Sequence, residues 1–482
     1  MKSVKCFFSI ALMALLWGCG SDNDTSKEEK PNQPGTEQPE QPEQPEQPGI
    51  EQPEQPQKTV IASGLSINIV EFVTQAYSWN FESVRAVEGR ALPSAIAVSS
   101  KSKVIRYLEN DGKKLNTYYD DFNLTSFIQN DDEDNELTNS AVYDDKHSFV
   151  THTLFTKNTD KEITGCAGNI YMVVNERDTS SDKAFTLKEL AVGPMPDAIA
   201  ITPDKKYALT ANEYDAVDTW GKCPVGKGSP SVSIIDLANI HSHELNISKQ
   251  IQFTQNALKQ SREPEYIAIA SDSDTVAVTL QDSYEVALFK LSEIMQMDGD
   301  SLDETVVQFV DIPANAAGIK SWPDGIVAFD IASKHYFAMA GEGSDSIIII
   351  DNAGNVISNT QITEREVPTN YPCLEADWFP GTKYSPDSIT AFTLGSKTYV
   401  AATLRYAGAV IIYDVTNPAA PVFEMITRAG VGDVVGNGVC TEDKTSTVYP
   451  EGISSGKFGD VVYIWVANEG DSSVTSIRIE AK

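Results

Sequence analysis

The feature that most constrains this chain is an internal repeat. A proline and a polar residue leading into an apolar run appear at Pro196-Asp197-Ala198-Ile199. The pattern returns at Pro264-Glu265-Tyr266-Ile267, Pro323-Asp324-Gly325-Ile326, Pro386-Asp387-Ser388-Ile389 and Pro450-Glu451-Gly452-Ile453, at steps of 59 to 68 residues. Each copy holds further short apolar runs, such as Val232-Ser233-Ile234-Ile235-Asp236 and Val276-Ala277-Val278-Thr279-Leu280, separated by Asp, Asn, Gly and Ser. Such runs read as strands bounded by turns. A period of this size with several strands per unit specifies a propeller or solenoid, because one unit buries its faces only against its neighbours.

Two earlier copies complete the series. One begins at Pro93-Ser94-Ala95-Ile96, and a degenerate one runs through Asp145–Thr151 and Gly168–Val174. Seven units predict an all-β fold, a seven-bladed β-propeller. The last copy ends at Val474–Ile479, one strand short of a blade. The early segment Leu65–Val70 is expected to supply the missing outer strand and close the ring.

The start of the chain reads as an address. Lys2 and Lys5 precede an apolar run from Cys6 to Trp17 that is short for a membrane span and suits a signal peptide. Leu16-Trp17-Gly18-Cys19 resembles a bacterial lipobox, whose cysteine carries lipid; an ordinary signal peptide with an incidental Cys19 is the alternative. Ser21-Asp22-Asn23-Asp24 is similar to a surface-export signal of bacterial lipoproteins, or is an acidic spacer. Residues 31–57 repeat Glu-Gln-Pro, which favours extended polyproline II and holds a domain off a membrane. The expected organisation is a signal peptide over 1–18, a lipidated N-terminus and linker over 19–57, and the propeller over 58–482. The expected location is the outer membrane, exposed at the cell surface, with lipid as the link to the membrane.

A net charge of −32 on 482 residues argues against nucleic acid, which needs basic grooves, and leaves room for cations. Cys166, Cys223, Cys373 and Cys440 are an even number in an oxidising context. On the blade map Cys166 and Cys223 fall in matching loops of adjacent blades, and Cys373 and Cys440 precede adjacent blade starts. The expected bridges are Cys166–Cys223 and Cys373–Cys440, against the alternative of separate buried thiols.

Pro196-Asp197, Asn212-Glu213, Val232–Asp236, Glu263–Ala268, Pro323–Ile326 and Ala467-Asn468-Glu469-Gly470-Asp471 resemble the choice-of-anchor I family. The resemblance spans roughly residues 90 to 480. It implies a β-propeller on bacterial surfaces, held by differing anchors. It also brings a phosphatase label without agreed catalytic residues. The chain departs from the family's acidic motif at Gln281 and Arg405, where Glu is expected, and varies at Gly341-Glu342-Gly343.

In a propeller the first strand of each blade lines the channel, and its start lies on the same side as the loop after the second strand. Asp197, Glu265, Asp324, Asp387 and Glu451 are therefore expected to ring one mouth, with Glu213, Glu342 and Glu469 beside them and Glu176 near. Converging carboxylates repel unless a cation compensates, and a hard ion with oxygen ligands, calcium first, suits them. The plain alternative is that each acid caps its own turn. His147 with His152, or His241 with His243, are further metal-ligand pairs, more often ordinary polar residues. Gly452–Gly456 has the spacing of a hydrolase elbow, but a blade strand lacks the strand–turn–helix that strains such a serine. Gly221–Lys227 has a phosphate-loop spacing with Gly228 where Ser or Thr should stand. Two functions follow. The first is a surface module that binds a ligand, a glycan or a protein, with Trp220, Trp322, Trp378 and Tyr406 as stacking candidates. The second is a metal-dependent, phosphoesterase-like hydrolase.

Overall fold

The computed structural model describes residues 61–62, 66–128, 135–176, 185–215, 223–224, 226, 228–254, 261–367, 382–430 and 448–482. The strands form seven sheets, each wound outward from an innermost strand. Those innermost strands are Ser83–Val87, Glu136–Val142, Pro196–Ile201, Pro264–Ile269, Pro323–Ile331, Pro386–Leu394 and Pro450–Phe458, and they open blades 1 to 7. The fold is a seven-bladed β-propeller. The one α-helix among the described residues, Leu291–Gln296, follows the third strand of blade 4. None of the described helices is long and apolar enough to cross a membrane.

The ring closes as the strand deficit requires. The outer strand of blade 7 is Ile67–Ala76, antiparallel to Ser473–Ala481 at the other end of the chain. It starts within the expected segment and runs six residues beyond it. Ile67 and Ile69 pack toward blade 6 and Val73 toward blade 1, and all three are buried.

The phase of the first two blades differs from the sequence reading. Pro93-Ser94 leads into Ser94–Ser99, which is the second strand of blade 1, and His147–Lys157 is the second strand of blade 2. Their true inner strands, SVRAV and ELTNSAV, carry no proline-acid start and are short or polar. The more apolar second strands therefore drew the alignment one strand late.

Seven hydrophobic clusters hold the ring, one between each pair of neighbouring blades. Between blades 5 and 6, Phe329, Ala338, Ile347 and Ile349 meet Ile389, Val400, Ala402 and Ile411. Between blades 7 and 1, Trp465, Ala467 and Val474 meet Phe81, Val84, Ala95 and Leu108. Middle strands have neighbours on both faces, so Ser346–Asp351 (SIIIID) and Ala409–Asp414 (AVIIYD) are apolar throughout rather than alternating. Blades crowd near the axis. A Cβ on Gly325 would overlap the backbone of Asp387, and one on Gly452 the backbone of Glu82.

Cys166 and Cys223 form a disulfide with Cα atoms 5.6 Å apart. Cys166 lies inside the strand Ile163–Asn175 rather than in a loop, so the bridge ties the third strand of blade 2 to the excursion that follows Asp215 in blade 3. Cys373 and Cys440 lie outside the described residues, as do Cys19, Trp220 and Trp378.

Removing residues 1–77 deletes the closing strand and exposes its partners. Each buried Ile or Val is worth about 1.5–3 kcal/mol, so this truncation is expected to destabilise by about 5 kcal/mol or more. A truncation before residue 66 keeps the strand. Paired thermal melts of the two proteins check this.

Candidate functional site

At one mouth of the channel lies a polar cavity of about 270 Å³. Each blade contributes one side chain from the start of its inner strand: Glu82, Thr138, Asp197, Glu265, Asp324, Asp387 and Glu451. The local cause is visible in the register. In blades 3 to 7 the pairing of the inner strand slips immediately after its proline, and the same slip brackets Thr138 in blade 2. A bulge of this kind re-aims the extra residue, here toward the axis.

A second tier comes from the residue that follows the second strand. The N–H groups of Glu213, Gln281, Glu342, Arg405 and Glu469 donate to the carbonyls of Met195, Glu263, Trp322, Ser385 and Tyr449, at 2.8, 3.3, 3.1, 2.9 and 3.1 Å. Each acceptor is the residue just before the blade's proline. Four of these, Met195, Trp322, Ser385 and Tyr449, sit at φ of 50°, 47°, 51° and 45° without being glycine. Backbone strain of this sort costs of order 1–3 kcal/mol per residue and clusters at functional sites.

Seven of the eight expected acids line the cavity: Asp197, Glu213, Glu265, Asp324, Glu342, Asp387 and Glu451. Glu469 stands beside it, 3.9 Å from Lys101. Glu176 is half-buried and not part of the lining. Sequence reasoning missed Glu82 and Thr138, because both belong to the blades whose phase it set one strand late. The signal for Glu82 was present as Phe81-Glu82-Ser83, an apolar residue and an acid standing where the later blades have proline and an acid.

The mouth is electrically lopsided. Arg405 reaches Glu342 at 2.9 Å and both Asp387 and Glu451 at 2.6 Å. Burial alone would lower its pKa, but these carboxylates outweigh burial and hold it well above the usual value. Glu342 is saturated: Ser385 Oγ donates to it at 2.9 Å and Gln281 Nε2 at 3.1 Å. Thus the two departures from an all-acid ring, Gln281 and Arg405, serve the same carboxylate. Opposite them, Asp197, Glu213 and Glu265 offer carboxylate oxygens within 4.8 Å of one another. Glu213 is shared with a second group, Asp215 and Glu263. Two like charges at 4.8 Å repel by about 3.5 kcal/mol at an effective dielectric constant near 20. Burial, then Glu451, pushes the Asp197 carboxyl up to about 7. Burial and neighbouring acids push Glu263 to about 9, and Glu213 and Glu265 well above the carboxylate range. Burial and mutual repulsion thus favour the protonated form of the carboxyls in this half.

Below the mouth Tyr266 lines both this cavity and a larger one of about 370 Å³ in the rest of the channel. That lower chamber is mainly Ala, Ile and Val with Arg85, whose guanidinium donates to Ser140 O at 2.9 Å and Asn139 Oδ1 at 2.8 Å. Gly452–Gly456 lies in the inner strand of blade 7, as expected of a blade strand. Trp322 packs edge-on against Tyr284, and Tyr406 is buried against Tyr449, so both serve packing.

Fold and site together define a seven-bladed propeller with an acidic mouth. The choice-of-anchor I domain matches residues 94–372, more than half of the chain, and the chain belongs to that family. Choice-of-anchor domains mark exported or cell-surface proteins. No curated protein matches by sequence. Among solved structures the chain is similar to virginiamycin B lyase from Staphylococcus aureus, at 15% identity and TM-score 0.47, covering 84% of this chain and 99% of that one. It is also similar to a streptogramin B lyase, at 12% identity and TM-score 0.49, covering 86% and 98%. Hydrazine synthase of Kuenenia stuttgartiensis follows at 12% identity and TM-score 0.49, covering 84% and 97%.

The raised carboxyl pKa values carry a sign. A carboxyl whose folded pKa exceeds its unfolded value binds more protons when folded, so stability falls as pH rises between the two values. For Asp197 the window runs from about 4 to 7, and for Glu263 from about 4 to 9. In chelator the melting temperature is expected to fall from pH 5 to pH 9, and Asp197→Asn with Glu263→Gln to flatten that slope. A pH series of melts on both proteins measures it.

Proposed function

We propose that this chain is a lipid-anchored surface protein of the outer membrane. In this reading its propeller mouth holds a hard divalent cation, calcium first, and through it binds an extracellular ligand, glycan or protein. The observation that carries the reading is the uncompensated half of the mouth. Asp197, Glu213 and Glu265 converge within 4.8 Å, while the single arginine of the lining is committed to Glu342, Asp387 and Glu451. A cation there replaces protons that these half-buried carboxyls would otherwise retain, and keeps open coordination positions toward the mouth for oxygen groups of a partner. The Arg405 side then offers the opposite polarity within the same cavity.

Binding is favoured over phosphoester hydrolysis by charge. Eight carboxylates line the cavity with Arg405 as the one cationic side chain among the described lining residues. A phosphate would enter against that field unless bound metal offset it. Hydrolysis of a phosphate ester that disappears with chelator would reverse this preference.

The test is a melt of the chelator-treated protein with added calcium, magnesium or manganese. At a hundredfold excess over Kd a ligand of the folded state adds about 2.7 kcal/mol. Calcium is expected to raise the melting temperature, and Asp197→Asn with Glu265→Gln to abolish the rise. No shift with any of the three ions overturns the reading and leaves the acids as turn caps. The anchor is tested separately. Cells fed a labelled fatty acid are expected to label the wild-type chain and not Cys19→Ala; equal labelling removes the lipid anchor.

A further inference from the structure

The face opposite the acidic mouth carries a different chemistry. The chain has five histidines, and the fold draws three of them to one place at the seam of blades 2 and 3. His147 begins the second strand of blade 2, just after the turn that holds Asp144. His241 lies in the short 3-10 turn Ile240–Ser242 between the third and fourth strands of blade 3, and His243 caps that turn in a left-handed conformation at φ 59°. The pair His147 and His152 does not come together, since His152 lies deep in blade 2 beside Tyr171; His147 instead meets the other pair, His241 and His243.

We infer that Asp144, His147 and His241, with His243 adjacent, form a binding site for a late first-row divalent metal ion of the zinc class. One ligand atom from each of Asp144, His147 and His241 lies within 4.8 Å of the other two. The imidazole centres of His147 and His241 are 5.2 Å apart, and that of His243 is 6.3 Å from His147. Two imidazoles and a carboxylate are the donor set of borderline ions, whereas calcium takes oxygen alone. The arrangement is preset. Asp144 Oδ1 accepts from His147 Nδ1 at 2.8 Å and from the backbone N–H groups of Lys146 and His147 at 2.9 and 2.7 Å. Ligand atoms on a tetrahedral zinc ion sit about 3.3 Å apart at bond lengths near 2.0–2.1 Å, so the 2.8 Å contact opens by about half an ångström. The proton now between Asp144 and His147 leaves to solvent as the ion takes its place. His147 is buried while His241 is exposed, so the ion enters from the solvent side. Water or His243 completes the coordination.

The site shares no residue with the mouth, so each stands or falls alone. Zinc is titrated into the full chain under excess calcium, with cobalt as a spectroscopic substitute. One zinc per chain is expected, together with a visible cobalt absorption that zinc displaces. His241→Ala, at an exposed position, is expected to weaken zinc at least tenfold, with His241→Gln as a second variant of closer size. Asp197→Asn with Glu265→Gln is expected to leave zinc binding unchanged. Wild-type zinc affinity in both His241 variants overturns the inference. So does loss of all zinc binding in the mouth variant.

Discussion

The structure depends on closure. Seven sheets each bury both faces, and they do so only if the last finds the first. The strand Ile67–Ala76 accomplishes this by leaving its sequence neighbours and pairing with Ser473–Ala481. With the ring shut, every blade interface has the same construction, apolar strands against apolar strands. The inner strands are then forced together at the axis, where Gly325 and Gly452 allow backbones to touch.

That convergence creates the charge problem of the mouth. A repeat that places an acid at the start of nearly every inner strand cannot avoid crowding them. The chain solves half of the problem with its own side chains. Arg405 stands where the repeat elsewhere has an acid, and it gathers three carboxylates; Gln281 donates to one of the same three. The other half, around Glu213, is left to protons or to an ion from outside. A half-buried carboxylate trio with no cationic side chain beside it among the described residues sacrifices stability near neutral pH.

The two faces of the disc therefore differ in kind. One gathers hard oxygen donors on the axis, and the other sets nitrogen donors at the seam of two blades. The Cys166–Cys223 bridge spans those same two blades. It joins the third strand of blade 2 to Cys223, which lies between the second and third strands of blade 3.

Periodicity in the sequence determined the blade count, the need for a borrowed strand and the identity of most mouth acids. Each follows from a local rule: a proline opens the inner strand, and the next residue turns to the axis. The first two blades escaped because Ser83–Val87 and Glu136–Val142 lack that proline. Glu82 and Thr138 were missed for the same reason, although Phe81-Glu82-Ser83 keeps the acid of the pattern. Only the tertiary structure decided which acids are neutralised, since Arg405 lies 18 residues from Asp387 and 63 from Glu342 in sequence but within 3 Å of both in space. It alone joined His147 to His241 across a blade boundary. Local propensity sets what each strand presents; the closing of the ring sets what it meets.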